Sequence, residues 1–283
     1  MITRAEKNKK IREKILYEEN AKKIKKISKI AGIILGSLVL IILYGMYIGA
    51  KIVIVNEVKI TNELIPSSFH GTKIIHISDI LYNSLNNNDL IKIKNQINEI
   101  NPDIVIFTGN IKNKYNLYKN DLEILKNFFS EINAKLSKYA VIGNNDDDSF
   151  NVVMENNFKI LNNSKELLYF KDLSPIEIIG FNTNDISYDN ISESNNYKIC
   201  IFSNPDKIEE ILEHTNCNLA MASSTLGGEI KLFGKPLFDN HKYNNDYYKI
   251  QETDFYISNG LGNLSNIRYF NHPSINFYRL TKY

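Results

Sequence analysis

A run without a single charged residue, from Ile30 to Ala50, most constrains what this chain can fold into. At about 1.5 Å per helical residue it matches the ~30 Å hydrocarbon core of a bilayer. A cleaved signal peptide is one alternative, but its apolar region is about 7–15 residues long and Ile48-Gly49-Ala50 is a poor cleavage site. A buried globular helix is disfavoured because the run is apolar on all faces and flanked by Lys29 and Lys51. The sequence therefore predicts a transmembrane helix over residues 30–50, in contact with membrane lipid.

The segment before this run is strongly basic. Its lysines and arginines, which far outnumber its glutamates, are Arg4, Lys7, Lys9, Lys10, Arg12, Lys14, Lys22, Lys23, Lys25, Lys26 and Lys29. Because such residues stay on the cytoplasmic side of a transmembrane helix, we expect residues 1–29 in the cytoplasm and residues 51–283 outside the cell membrane, with a single pass between them. Residues 1–29 are either a basic helix on anionic lipid or a solvated tail that only sets the topology.

The remaining sequence predicts one mixed domain over residues 51–283. The chain has 283 residues and is 43% apolar, which is enough for one sizeable core. Its net charge of +2 gives no bulk attraction to nucleic acid, so we expect no nucleic-acid partner. Residue periodicity predicts strands over 51–60, 158–161, 167–170 and 176–181, and helices over 88–100, 121–136 and 206–213.

Five further segments each combine a buried apolar strand with a polar loop at its carboxyl end. They are Lys73–Asp79, Pro102–Asn110, Tyr139–Asp146, Ile199–Asp206 and Leu219–Gly228. Folds of the α/β class place their active residues at this end of the strands. The pattern indicates an α/β fold whose functional residues lie in these five loops.

In order and spacing, the five segments resemble the motifs of the calcineurin-like metallophosphoesterases, in particular their membrane-anchored bacterial type. Those motifs are Asp-x-His, Gly-Asp, Gly-Asn-His-Asp, a lone His before Pro-Asp, and Gly-His-x-His. The resemblance runs from about Val58 to Tyr283. It implies a four-layer α/β/β/α sandwich of two mixed sheets, a two-metal site, and relatives that hydrolyse phosphomonoesters, phosphodiesters or lipid-linked pyrophosphates.

Three oxygen-ligand positions of these motifs are occupied by polar residues here. The first Asp falls on Asp79 and is present. The metal-binding Asn of Gly-Asn-His-Asp falls on Asn144 and is also present. The metal-bridging Asp of Gly-Asp, however, falls on Asn110, which carries no charge.

No histidine of the motifs is present. The histidine of Asp-x-His falls on Leu81, and the histidine that the resemblance assigns to leaving-group stabilisation falls on Asn145. The lone histidine falls on Ser203, and the last pair falls on Ser224 and Leu226. The sequence thus carries the frame of the family with most of its metal ligands replaced.

These replacements argue against a metal centre. Two divalent ions held about 3.5–4 Å apart need a bridging anion and several basic ligands to offset their repulsion. A neutral Asn110 does not supply the anion, and hydroxyls and leucines do not replace imidazole. We therefore expect no dinuclear centre, no cofactor and no catalytic residues. Ser203, Ser223 and Ser224 are not substitute nucleophiles, because no base is placed beside them in these motifs.

A reduced metal site is the alternative. Asp79, Asn110, Asn144 and the run Asp146–Asp148 could gather oxygen ligands around one magnesium, manganese or calcium ion. The competing interpretation of the run is a solvated acidic loop. Glu229 adds a carboxylate near the site or faces water.

The histidines of the chain do not form a replacement site. His76 lies three residues before Asp79 on a predicted strand, and the alternation of a strand points the two side chains to opposite faces. His70, His214, His241 and His272 lie in polar or turn-like stretches, where we expect exposed side chains.

The two cysteines, Cys200 and Cys217, lie near the starts of two predicted strands. We expect two buried free thiols. A disulfide stays open, because the sequence does not give the Cα separation, which must be under about 7 Å.

These inferences predict a membrane-anchored, extracytoplasmic pseudoenzyme that acts as a binding or partner domain. With only carboxylates at the cleft, phosphate should be repelled, which favours a non-anionic ligand or a protein such as an active paralogue or another envelope protein. The alternative is a phosphoester hydrolase that uses one oxygen-liganded cation.

Overall fold

The structure, a computed structural model, describes residues 4–113, 115–238 and 240–283, without the side chains of Glu6 and Ile11. The chain divides into two compact units, one up to Gly45 and one from Met46 to Tyr283. The first unit is a single helix, α1, over Arg4–Tyr44.

Helix α1 runs continuously from the basic segment, residues 1–29, into the apolar run, residues 30–50. Its first part is rich in Lys and Glu, which favour a helix, so the chain is helical from Arg4 onward. Among the described residues, one helical stretch, from Lys7 to Gly49, is long and apolar enough to cross a membrane. Its apolar side chains are mostly exposed, so it is not the core helix of a globular domain. Its length and composition fit a membrane anchor or a signal sequence.

The second unit contains two mixed sheets. The first has the order β1-β14-β2-β3-β4-β5 and is parallel except where β14 runs against β2. Its strands are β1 (Ile54–Thr61), β2 (Lys73–Ile77), β3 (Ile104–Phe107), β4 (Ser137–Ala140), β5 (Lys159–Ile160) and β14 (Ser274–Thr281).

The second sheet has the order β12-β13-β9-β8-β7-β6, with parallel pairs in the centre and antiparallel pairs at both edges. Its strands are β6 (Ser164–Leu168), β7 (Ile176–Gly180), β8 (Tyr197–Ile201), β9 (Leu219–Ala222), β12 (Tyr247–Ile250) and β13 (Thr253–Ile257). A short hairpin, β10 (Lys231–Leu232) with β11 (Lys235–Pro236), lies outside both sheets.

Alternating side chains build the layers. On β3, Ile104 and Ile106 pack into a core shared with Ile199 and Met221 of the second sheet. Val105 and Phe107, which point the other way, pack with residues of the helices α2 (Asn87–Ile100), α3 (Lys119–Ser130) and α4 (Asp148–Met154). Helix α5 (Ile208–His214) packs on the second sheet. The predicted α/β/β/α sandwich of two mixed sheets is confirmed.

Some predicted element bounds are wrong. The helix predicted over 121–136 ends at Ser130, because the side chain of Asn98 on α2 donates to the carbonyl of Glu131 (2.9 Å) and accepts from the amide of Asn133 (2.9 Å). These bonds satisfy the helix end and turn the chain toward β4. The helix predicted over 206–213 is a 3₁₀ turn, Pro205–Lys207, followed by α5.

The expectation of two free thiols is also wrong. Cys200 on β8 and Cys217, just before β9, form a buried disulfide with a Cα–Cα distance of 5.8 Å. The two strands are parallel neighbours, with Cys200 opposite Ala220. This pairing brings the two cysteines within bonding distance, which sequence separation alone does not show.

Candidate functional site

The structure gathers the sequence-predicted positions at one edge of the two sheets. Asp79 follows β2 and Asn110 follows β3, while Ser203 follows β8 and Ser224 follows β9. Because β2 with β3 and β8 with β9 are parallel pairs, their carboxyl ends meet at common edges. Hydrogen bonds connect these four residues across both sheets.

The side chain of Asn110 is the centre of this network. Its Nδ2 donates to Oδ1 of Asp79 over 2.7 Å and to Oγ of Ser224 over 3.0 Å. Its Oδ1 accepts from the backbone N–H of Asn145 over 3.1 Å. The residue is buried. A carboxamide both donates and accepts, whereas an ionised carboxylate only accepts, so an aspartate would not make these bonds to Asp79.

Asp79 is fully enclosed by hydrogen-bond donors. Its Oδ2 accepts from Oγ of Ser78 over 2.7 Å and from the amide of Ser224 over 3.2 Å. Burial raises the pKa of Asp79, although the bonds from Ser78, Asn110 and Ser224 and the positive charge of Arg268 oppose this rise. Both carboxylate oxygens therefore have protein partners.

The remaining polar positions bond to one another or to neighbours. Ser203 and Ser224 share a hydroxyl–hydroxyl bond of 2.8 Å, so each hydroxyl already has a protein partner. Asn144 is exposed, and its Oδ1 accepts from Oγ1 of Thr183 over 2.9 Å. Asn145 contributes its backbone N–H to Asn110.

The two leucines that the resemblance aligns with histidines are buried, with Leu81 2% and Leu226 3% exposed. Hydrocarbon therefore fills part of the volume beside Asp79, and neither side chain offers a ligand atom. The carbonyl of Leu226 accepts from Nδ2 of Asn271 over 2.7 Å.

Five of the motif positions share a left-handed backbone. The φ angles are positive at Asp79 (49°), Leu81 (41°), Asn110 (62°), Ser224 (73°) and Leu226 (52°). This conformation costs free energy in residues other than glycine, of order 1–3 kcal/mol for each. The loops keep a strained geometry at positions that matched the family's ligands, even where the side chain is a leucine.

In the acidic run after β4, Asp146–Asp148, the first two carboxylates hydrogen-bond to neighbouring loop residues and do not converge on one point as metal ligands would. Asp146 accepts backbone N–H bonds from Asn110 (2.7 Å), Ile111 (2.8 Å) and Gly143 (2.8 Å), and burial raises its pKa to about 6. Asp147 caps α4 and bonds Lys112, whose hydrogen bond lowers the pKa of Asp147 to about 2.

Glu229 and Asp148 also have structural surroundings. Oε1 of Glu229 accepts from the backbone N–H of Leu264 over 2.6 Å, which ties its loop to the segment after β13. Asp148 lies in the first turn of α4, where a negative charge complements the helix dipole.

Arg268 is a buried cation that the sequence patterns missed. It has no exposed surface and donates to Oδ1 of Asn263 (2.6 Å) and to the carbonyls of Leu226 (3.3 Å), Asn259 (2.9 Å) and Gly262 (2.6 Å). Burial lowers its pKa to about 10, while the charges of Glu229 and Asp79 oppose this shift. One signal could have found it, since the chain is rich in lysine and has only Arg268 and Arg279 as arginines after Arg12.

The histidines differ in their distance from this network, and His241 lines the same cleft as Ser224 and Leu226. His76 is fully buried, its Nε2 bonds Oγ1 of Thr108 over 2.8 Å, and burial lowers its pKa to about 3. His70 and His214 are exposed as expected, and His241 is half-buried. The expectation of an exposed His272 is wrong, because this residue is half-buried with Nδ1 3.1 Å from the carbonyl of Gly49.

The donor atoms do not fit a two-metal centre. Within the described ranges, no group of three or more His, Cys, Asp or Glu side chains is placed to hold a metal ion. At the positions assigned to metal ligands the donors are one carboxylate, amides and hydroxyls, and both oxygens of Asp79 already accept hydrogen bonds. A bridging anion and imidazole ligands are missing from this set of side chains.

Two packed mixed sheets, with polar loops meeting at the carboxyl ends of their parallel strands, define the class of two-sheet phosphoesterase-like domains. Residues 72–273 match the sequence model of the calcineurin-like phosphoesterases, and the chain belongs to that family.

Two relatives and one solved structure are similar to the chain. The uncharacterized metallophosphoesterase YkuE of Bacillus subtilis (strain 168) is 26% identical over 238 residues, covering 77% of this chain and 82% of that protein. The UDP-2,3-diacylglucosamine pyrophosphatase LpxG of Chlamydia muridarum is 35% identical over 78 residues, covering 27% of this chain and 23% of that protein. The crystal structure of TT1561 of Thermus thermophilus has a TM-score of 0.45 at 11% identity, covering 67% of this chain and 90% of that one.

Proposed function

We propose that this chain is a membrane-anchored member of the calcineurin-like phosphoesterase family that has lost metal-dependent hydrolysis and acts as an extracytoplasmic binding or partner domain. The observation that carries the proposal is the pair of bonds from Nδ2 of Asn110 to Asp79 and Ser224. These bonds join the motif positions directly to each other. Oδ1 of Asp79 therefore already accepts a hydrogen bond from the protein, and this bond would have to break before the oxygen could bind a cation.

Charge supports the same proposal. Two divalent cations bring a charge of about +4 into a small volume, and several anionic or strongly basic ligands are needed to hold them. Among the positions that the resemblance assigns to metal ligands only Asp79 is a carboxylate, and burial raises its pKa, which weakens it further as an anionic ligand. The buried guanidinium of Arg268 already lies close enough to interact with the charge of Asp79.

Three features support the membrane location and topology. Helix α1 has the length and composition of a membrane anchor. The basic residues before the apolar run favour a cytoplasmic amino terminus. The disulfide between Cys200 and Cys217 is of a kind that persists in oxidising compartments and is rare in the cytosol, so it favours an extracytoplasmic second unit.

The chemistry of the cleft favours a partner over a phosphate ester. Asp79 and Asp146 lie within electrostatic range of each other, and the pKa of Asp146 is raised to about 6 by burial and, in smaller part, by the charge of Asp79. A phosphate placed beside them would meet negative groups without a metal to offset them. A non-anionic ligand or a protein surface does not meet this repulsion, and an active paralogue with intact histidines is one such protein.

Metal content and turnover of the full-length protein test the proposal. The purified chain is exposed to manganese, zinc, iron and magnesium, its bound metal is quantified, and hydrolysis of bis-p-nitrophenyl phosphate is followed on the same sample. We expect less than about a tenth of an equivalent of metal, against the one or two ions of an active site, and no turnover. About one or two equivalents with metal-dependent turnover would overturn the proposal.

A variant with the metal ligands of the motifs restored is the positive control for the metal-binding measurement. It restores the motif residues with Leu81→His, Asn110→Asp, Asn145→His, Ser203→His, Ser224→His and Leu226→His, and it should bind metal under the same conditions. A different result would support the alternative, a hydrolase that uses one oxygen-liganded cation. In that case the unmodified chain would hydrolyse the ester, and the Asp79→Ala variant would not.

A further inference from the structure

Six large apolar side chains crowd the surface beside the candidate site. They belong to the β10–β11 hairpin, to the residues that follow it, and to the segment 263–272 before β14. We name them the apolar rim: Leu232 (50% exposed), Phe233 (96%), Leu237 (52%), Phe238 (75%), Leu264 (64%) and Phe270 (79%). Single exposed apolar residues are ordinary, but a group of this kind marks an interaction surface.

Backbone contacts hold the two parts of the rim together. The amide of Lys231 donates to the carbonyl of Tyr269 over 3.0 Å, within an isolated bridge between Ile230 and Tyr269. The side chain of Glu229 accepts the amide of Leu264 over 2.6 Å. Phe238 and Leu264 line one cleft of about 450 Å³ together with Ser224 of the candidate site. The hairpin and the segment 263–272 therefore form one surface.

The stability of the fold does not explain why Phe233 and Phe270, the two most exposed aromatic residues of the rim, stand at these positions. Phe233 occupies the turn of the hairpin with φ 51°, and Phe270 has φ 54°. A bulky residue is costly in this left-handed region, where Asn or Gly is favoured. Both rings are mostly exposed, so neither gains burial inside the protein in return.

The same segment contacts the residues at which the apolar run ends. Nδ2 of Asn263 donates to the carbonyl of Ala50 over 3.3 Å, and the ring of His272 lies 3.1 Å from the carbonyl of Gly49. A Cβ built on Gly49 would lie 2.0 Å from the carbonyl oxygen of Arg268, so the two backbones touch. All these residues belong to the second unit. The rim therefore adjoins the point where the chain enters the domain from the apolar run.

We propose that the apolar rim inserts into the surface of the lipid bilayer that holds the apolar run, as a second membrane contact of the domain. The inference rests on the proposed membrane anchor. The short chain path from Ala50 keeps the rim at the bilayer, and apolar side chains of this kind enter about 5–10 Å, into the boundary between headgroups and acyl chains. The hairpin 231–236 carries the exposed Lys235 and, like the segment 263–272, contains no carboxylate, so these two parts of the rim do not repel anionic lipid, although Asp239 follows Phe238 in the sequence. The cleft that contains Ser224 then opens beside the lipid.

The absence of tryptophan from the chain gives a direct test. Full-length single-tryptophan variants are reconstituted into anionic lipid nanodiscs without bromine, with bromine on the upper acyl chains, or with bromine near the ends of the acyl chains, and bromine quenches nearby tryptophan emission. Phe233→Trp and Phe270→Trp report on the rim. Leu173→Trp, at a position 90% exposed in the loop between β6 and β7, is the control outside the rim, and Leu38→Trp reports on the apolar run.

We expect brominated lipid to reduce the emission of both rim reporters by about twofold, with little change at Leu173→Trp. Rim emission as insensitive to bromine as that of Leu173→Trp overturns the inference, and a blue-shifted but unquenched rim would show that protein covers it instead. Leu38→Trp separates the two proposals. If it is quenched while the rim is not, only the rim proposal fails; if it is not quenched while the rim is, the anchor proposal fails and the lipid contact stands.

Discussion

The side-chain amide of Asn110 donates to the carboxylate of Asp79 over 2.7 Å, between residues that follow two adjacent parallel strands. In the motif that the chain matches, the position of Asn110 holds a carboxylate that bridges two metals. With an amide there, the two side chains attract each other without any ion. The amide of Asn110 thus lets this pair of side chains form a hydrogen bond without a cation.

The first prediction concerns that exchange. Asn110→Asp places a second carboxylate within hydrogen-bond distance of Asp79 and removes the donor to Ser224. Because both groups are buried, we expect the free energy of unfolding at neutral pH, in the presence of a chelator, to fall by about 2 kcal/mol. The measurement is urea unfolding of the full-length protein in detergent, followed by near-ultraviolet circular dichroism.

Asn144→Asp is the matched control for this variant. The Oδ1 of Asn144 accepts a bond from Thr183, which an aspartate also accepts. We expect a change within about 0.5 kcal/mol. Equal destabilisation by the two substitutions would show that the bond between Asn110 and Asp79 has no special weight.

The second prediction concerns the buried guanidinium of Arg268. Arg268→Lys keeps a positive charge, but a lysine cannot reach the acceptors on Asn259, Gly262 and Asn263 with the same fork of donors. We expect a loss of about 3 kcal/mol in the free energy of unfolding. The same urea titration measures it.

Arg279→Lys controls for the general effect of replacing arginine. Two nitrogens of Arg279 donate to one carboxylate oxygen of Glu57 at the surface, through bonds of 3.0 and 2.8 Å. Exposed pairs of this kind contribute up to about 1 kcal/mol, so this variant should be nearly as stable as the unmodified protein. A similar loss in both variants would contradict the role given to Arg268.

The third prediction concerns the disulfide. Cys200 and Cys217 are 17 residues apart, and closing a loop of about this length stabilises a protein by roughly 3 kcal/mol through the unfolded state. We expect reductant to lower the urea midpoint of the unmodified protein. The double variant Cys200→Ala with Cys217→Ala should show a lowered midpoint that no longer responds to reductant, and a midpoint of the unmodified protein that ignores reductant would argue against the bond.

The fourth prediction concerns pH. Burial lowers the pKa of His76 from 6.5 to about 3, so the unfolded chain binds a proton that the folded chain does not between these two values. His76 therefore does not lower the free energy of unfolding above pH 6.5. As the pH falls from 6.5 toward 3, protonation of the unfolded chain lowers this free energy by up to about 1.4 kcal/mol per pH unit.

His76→Gln tests this dependence, because glutamine is polar and does not titrate. The difference in unfolding free energy between the two proteins should shrink or reverse as the pH is lowered from neutral to mildly acidic conditions. A constant difference across this range would show that His76 does not titrate as its burial requires.

The sequence was informative where single residues or regular patterns carry the information. The continuous apolar run from Ile104 to Phe107 predicted a buried strand, and the structure places its two sides in two different cores. That no histidine stands at the motif positions is a prediction from residue type alone. The end of α3 at Ser130 was not predictable in this way, because it depends on the side chain of Asn98 from another helix.

By itself, then, the sequence determined the apolar run of residues 30–50, the α/β class, and the residue types that follow each strand, because these follow from residue identity and local periodicity. Only the tertiary structure decided which of these residues contact one another. Asn110 bonds partners 31 and 114 residues away, Arg268 collects carbonyls from two loops, and Cys200 meets Cys217 through strand pairing. Each depends on which loops the two sheets bring together, since a hydrogen bond or a disulfide forms only at close range and the order of residues does not give distances in space.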